Sequence, residues 1–136
     1  MLGKQETQGD SFMFETISSA GMAVPPHKHE NEDEYGYVIE GTFEVYLDGQ
    51  TFKATNGAVI YCPRHSWHGF RNIGSTTAKM VWISTPGASV EQFFEDLAAL
   101  PSDVPPDMEK IIAIFGKYQM EVLPPPGMKI HRDIYV

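Results

Sequence analysis

Apolar and polar residues alternate with period two over residues 11–17, as in a strand with one buried face. Residues 35–47 are rich in aromatic and β-branched side chains and are broken once, at Gly41. Asp48-Gly49 is a hairpin-turn sequence, and residues 51–54 can return from it. Residues 58–62 and 79–84 predict further short strands, and Gly21, Pro25-Pro26, Gly57, Pro63 and Gly74 punctuate the runs. Many short strands between turn residues predict an all-β sandwich or barrel over about residues 1–86, not alternating β and α units.

After Pro86-Gly87 the period changes. Ser89 and Gln92 make a capping-box pattern, and Val90, Phe93, Phe94, Leu97 and Leu100 follow at helical spacing up to Pro101. Pro105-Pro106-Asp107 starts a second helix, with Met108, Ile111, Ile112 and Phe115 on one face. Both helices, spanning about residues 89–119, are expected to pack on the outside of the barrel. Pro124-Pro125-Pro126-Gly127 is expected to end the packed structure, leaving residues 124–136 as a tail. With no repeat and no second domain in view, residues 1–136 read as one domain.

Composition narrows the function classes. No apolar run approaches the roughly 20 residues of a membrane helix, and residues 1–10 lack the apolar stretch of a secretory signal. Cys62 is the only cysteine, which excludes an intrachain disulfide and suits a reducing, cytoplasmic compartment. The net charge is −8 and there is no Lys/Arg cluster, which argues against a nucleic-acid partner. Part of the acidity sits in Glu30, Glu32, Asp33 and Glu34, three of which are expected on a solvated face.

The histidines point to chemistry. His27 and His29, at i and i+2 on an extended chain, project to one face about 6–7 Å apart. Imidazoles so placed can converge on one metal with bonds of about 2.0–2.1 Å. Pro25-Pro26 holds the preceding backbone extended. A nearby Glu can add an oxygen ligand, and a second hairpin can bring another His. Such mixed nitrogen and oxygen donors suit one divalent ion of Fe, Mn, Co, Ni, Cu or Zn.

Residues 21–41 read G-x5-H-x-H-x4-E-x6-G, with Gly21, His27, His29, Glu34 and Gly41 in place. This resembles the first cupin motif position for position. Residues 57–72 read G-x5-P-x-H-x2-H-x3-N and resemble the second, with Gly57, Pro63, His68 and Asn72 in place. They depart from it where the family has glycine and this chain has His65. The short intermotif spacing is similar to that of small single-domain cupins with one conserved barrel. The helical segment, with Phe93-Phe94 and Phe115-Gly116-Lys117-Tyr118, loosely resembles quercetin-dioxygenase-like members. The resemblance implies a double-stranded β-helix, or jelly roll, with a metal inside on His27, His29, Glu34 and His68. It also implies a homodimer, whose interface the N-terminal strand and the helices could supply.

His65 is expected in a positive-φ turn at the surface, with a proton carrier at the pocket rim as the alternative. Ser66 and Trp67 separate it from His68, so it is not expected as a fifth ligand. If Glu34 points inward, so do Gly36 and Val38; if His68 does, so does Phe70. Gly36 leaves space beside the metal. Phe43, Val45, Met80 and Trp82 are candidate wall residues, with ordinary core packing the plainer reading of each. The expectation is an apolar pocket with a charged floor, for an aromatic or moderately hydrophobic small molecule. The favoured chemistry is a metal-dependent dioxygenase acting on an aromatic or enolic substrate, with Glu34 as general base by resemblance. The alternatives are metal-dependent isomerisation, cyclisation or lyase chemistry, and a non-catalytic metal-containing ligand-binding protein.

Overall fold

The alternation over residues 11–17 becomes β1, Phe12–Ser18, in a computed structural model that describes residues 1–102 and 104–123. Seven more strands follow before the helices. These are β2, Ala23–His29; β3, Asp33–Glu40; β4, Phe43–Leu47; β5, Gln50–Ala54; β6, Val59–Cys62; β7, His68–Asn72; and β8, Ala78–Thr85. All pair antiparallel, in a four-stranded sheet ordered β1-β8-β3-β6 and a five-stranded sheet ordered β5-β4-β7-β2-β9, where β9 is Met120–Val122. The fold is a double-stranded β-helix, as expected. Asp48 and Gly49 both have positive φ, at 44° and 86°, the twist that lets a two-residue turn join β4 to β5 with Leu47 opposite Gln50.

Along β3 burial alternates as the pattern requires: Glu34, Gly36 and Val38 face in, while Tyr35 and Tyr37 face out. Val38, Phe43, Val45, Ile60 and Met80 fill one end of the barrel, each at most 2% exposed. The two prolines of β2 interrupt its pairing with β7 between Val24 and His27. There the facing residue is Gly69, where a Cβ would lie 2.7 Å from the Val24 carbonyl oxygen. The close approach brings β2 near enough for His27 to pair with His68.

Two expectations for the helical segment are corrected. The first helix, α1 at Lys4–Thr7, is a short turn near the N-terminus; the predicted pair are α2, Ala88–Ala98, and α3, Met108–Lys117. Ser89 does not form the capping box with Gln92, because α2 begins at Ala88 with Gly87 as its N-cap and no side chain capping it. A Cβ at Gly87 would lie 2.1 Å from the Ser11 carbonyl carbon, so the close packing of this helix start against the entry to β1 demands glycine. α3 starts after Asp107 as predicted, and Asp107 caps it, accepting from the Lys110 amide at 3.2 Å.

The second correction concerns position. The helices close over the mouth of the barrel, where Phe93 meets Phe115 at 4.8 Å between ring centroids and Phe94 meets Phe14 of β1 at 4.9 Å. The short β9 directs this, returning from α3 to pair with β2, with Met120 opposite His29 and Val122 opposite His27. No helix among the described residues is long and apolar enough to cross a membrane. The tail expected at residues 124–136, Pro124-Pro125-Pro126-Gly127 included, lies outside the described residues.

Candidate metal centre

Three strands converge at the mouth. β2 presents His27 and His29, β7 presents His68, and β3 presents Glu34. One donor atom from each of the four lies within 4.8 Å of every other. The set is buried, from 2% exposed at His29 and His68 to 9% at His27. His65 stays outside it, as expected, at φ 71° and with a half-exposed side chain 3.5 Å from the Glu30 carboxylate. Its backbone N–H donates to the His29 carbonyl at 2.8 Å and so braces the ligand strand.

Each imidazole is oriented from behind. His27 Nδ1 lies 3.0 Å from the Pro25 carbonyl oxygen and His68 Nδ1 3.2 Å from that of Ser66. A carbonyl only accepts, so both Nδ1 atoms donate and both Nε2 lone pairs turn inward. His29 differs: its Nδ1 lies 3.2 Å from a carboxylate oxygen of Glu32. Glu32 is 2% exposed, against the expectation that only one of the four clustered acidic residues is withdrawn from solvent. The tight turn from β2 into β3 folds it back beneath the His29 ring. Asp33 is half-buried and holds Arg64, and Glu30 is exposed. Sequence offered no separate signal for Glu32, because a charge run looks the same whether solvated or folded inward.

Glu34 completes the ring. Its Oε1 accepts from the Ser84 hydroxyl at 2.7 Å, and its Oε2 lies 3.0 Å from His68 Nε2 and 3.5 Å from His29 Nε2. Burial alone would push this carboxyl up; His29, His68 and His27 together outweigh it and hold it at about 2. His27 is pushed down to about 3 by burial, then by the neighbouring His68 and His29. His29 moves upward because Glu34 and Glu32 outweigh its burial. Cys62 lies opposite Glu34 in the β3–β6 register, but burial, then Glu34 and Asp48, push its thiol up to about 12, so it is no thiolate donor.

The donors fit a cation. His29 Nε2 is buried with no hydrogen-bond partner among the described residues, and with Nδ1 donating outward its lone pair faces a carboxylate. Such an arrangement of inward lone pairs is repulsive unless a positive charge lies among them, a proton in the metal-free protein or a metal ion in its place. The cluster could therefore hold a metal ion on three nitrogens and one oxygen.

Above the cluster is a cavity of about 260 Å³. Phe70, the inward neighbour of His68 by alternation, and Trp82, a candidate wall residue, are among the residues that line it. Gly36, Val38 and Phe43 do not. Val38 and Phe43 are fully buried in the packed end of the barrel, and the space at Gly36 is taken by the Trp82 indole, whose Cζ3 and Cη2 lie 2.9 Å from where a Cβ would be. The opposite wall is the helical lid: Phe93, Phe94, Leu97 and Phe115. Sequence reasoning missed these four as pocket residues, since helical spacing marks a buried face without saying what it is buried against.

Comparison with known proteins places this geometry. A family profile described as "Cupin domain" matches residues 13–84. The polyketide synthase CurC of Streptomyces cyaneus is 37% identical over 75 residues, 55% of this chain and 49% of that one. The quercetin 2,3-dioxygenase of Bacillus subtilis is 29% identical over 94 residues, 69% of this chain and 27% of that one. The chain thus spans about half the length of the first and about a quarter of the second. Among solved structures, a predicted oxalate decarboxylase from Thermotoga maritima superposes with a TM-score of 0.61 at 22% identity, covering 62% of this chain and 75% of that one, a likeness of fold alone.

Proposed function

The chain belongs to the cupin family, and from that premise we propose that it holds one divalent transition metal ion on His27, His29, Glu34 and His68 and works as a dioxygenase on a small aromatic or enolic molecule. The observation that carries this is the inward turn of the three Nε2 atoms onto Glu34 beneath an apolar cavity. A bound ion there would act as a Lewis acid on a substrate oxygen and, if redox-active, bring dioxygen into reaction.

The protein's own residues supply the rest. Glu34 is the proton acceptor: its carboxyl, held at about 2, is ionised at neutral pH, and the Ser84 hydroxyl fixes its orientation. The aromatic lid excludes water from the reacting groups. The test is oxygen uptake by Fe-, Mn-, Ni- or Cu-loaded protein against a panel of flavonols and catechols, with Glu34→Gln as control. Uptake that collapses in the variant is expected; no uptake with any metal would remove the reading.

A second reading is metal-assisted isomerisation, cyclisation or lyase chemistry without dioxygen, which the same four donors could serve. Turnover under anaerobic conditions would select it, and a tightly held ligand that is never turned over would select a binding protein. The reading includes a homodimer, since Tyr35, Tyr37, Val59 and Tyr61 leave an apolar outer sheet face exposed. A monomeric mass by light scattering would contradict that part.

A further inference from the structure

The cross-strand register divides the barrel interior into layers. Glu34 lies opposite Ser84 and Cys62, Gly36 opposite Trp82 and Ile60, and Val38 opposite Met80. The first layer carries the oxygen donor of the cluster, the third belongs to the packed end, and the second is the boundary between them. Trp82 lines the cavity at that boundary, while Gly36, Ile60 and Val38 do not. Its indole stacks on Phe70 of the opposite sheet at 5.5 Å between ring centroids, and Phe43 meets Phe70 edge-on from behind at 5.7 Å. The two sheets thus meet in an aromatic partition, and the cavity stops there.

The partition depends on a missing side chain. A Cβ at position 36 would lie 2.9 Å from Cζ3 and Cη2 of the indole and 3.2 Å from Cε3. Gly36 is not among the glycines with positive φ, so its backbone makes no demand for glycine; the ring alone does. The space that Gly36 leaves beside Glu34 is therefore filled from the neighbouring strand, by an apolar ring rather than by backbone. A single substitution at either position can move that boundary.

We propose that Trp82 is the size-determining residue of this cavity: its indole, seated across Gly36, closes the space beside Glu34 and excludes ligands with bulk next to the oxygen that faces the cluster. This rests on the reading of the cavity as a substrate site and adds what that site rejects. A ring with an oxygen at the cluster holds the substituents next to that oxygen at the level of the indole. Substituents across the ring point to the lid instead. The cavity that remains, about 260 Å³, compares with the roughly 150 Å³ that holds one benzene, so space is short in any direction the indole blocks.

The test uses two isomers, 4,5-dimethylcatechol and 3,6-dimethylcatechol. The second carries a methyl group beside each oxygen, so one faces the indole whichever way the ring is turned. Anaerobic calorimetry on zinc-loaded protein, which is redox-inert, should show wild type binding the 4,5-isomer about tenfold more tightly. Trp82→Phe shortens the side chain yet keeps a ring for the stack on Phe70, and should bring the two isomers within about twofold. Gly36→Ala should act in the opposite direction, pushing the indole toward the cavity and widening the preference. It also decides alone if Trp82→Phe does not fold. A preference absent from wild type, or unchanged in the folded variants, overturns the role of Trp82 while leaving the catechol site standing. Binding of neither isomer nor of catechol itself overturns the substrate-site reading and the role of Trp82 with it.

Discussion

The two ends of this barrel are equally withdrawn from water and chemically opposite. Along β3, Val38 is 0% exposed and Glu34 only 6%; on the partner sheet Phe43 is 0% exposed and His68 2%. At the Val38 end burial is satisfied by packing, because side chains from both sheets meet and leave no lining residue in the cavity. At the Glu34 end burial is unsatisfied from within. Inward nitrogens face a carboxylate, and the strands stop short of covering them. That end is completed from outside the barrel by a helical lid above and, in the proposed function, by an ion at the centre. Alternation therefore decides which residues turn inward, but which end is a core and which a site depends on what lies beyond the strand.

Breaking the closed end should have the largest effect. Phe43→Ala removes a fully buried ring and should destabilise the protein by about 3–5 kcal/mol, read from the urea midpoint. Metal content per folded chain should stay unchanged. A loss of metal in parallel with stability would mean that the two ends are not separable in this way.

A smaller change sharpens the open end. Glu32→Gln keeps an acceptor for His29 Nδ1 but removes the buried negative charge behind it. Metal affinity should fall about tenfold, within the 10–100-fold range of outer-ligand changes, by chelator competition. The closed end should not respond, so the urea midpoint of metal-free protein should stay within about 0.5 kcal/mol of wild type or rise.

The smallest effect is the pH dependence of metal-free protein, because its contributors oppose one another. His27 is held at about 3 against an ordinary 6.5, so the unfolded chain takes up a proton that the folded site refuses. Stability falls as pH drops from about 6.5 toward about 3, and Glu34, held at about 2 against 4.5, adds to the loss at the acid end. His29, shifted upward, works the other way: its stabilisation is present below 6.5 and fades as pH rises through its folded value. The expected net result is a modestly lower urea midpoint at pH 5 than at pH 7 after chelation. A higher midpoint at pH 5 would mean that His29 dominates the cluster.

The barrel and the four converging donors were legible in sequence because both are periodic or spaced: His27 and His29 share a face, and Glu34 and His68 hold fixed places in two motifs. What was not legible depends on partners across space. Helical spacing found the apolar faces of α2 and α3 but not the barrel mouth they cover, since β9, the three-residue strand that directs them, is too short to show a period. Gly36 read as room for a ligand, and only the cross-strand register reveals that Trp82 fills it. Glu32 looked like its solvated neighbours until the turn folded it beneath His29.

At the open end of the barrel we propose a metal site on His27, His29, Glu34 and His68. Elemental analysis of protein purified without chelator or added metal, beside His27→Ala and His68→Ala, tests it most directly. Close to one equivalent of a divalent transition metal per wild-type chain, lost in both variants, is the predicted result. Stoichiometric metal retained in both variants, or a wild-type protein that takes up none when metal is supplied, would contradict it.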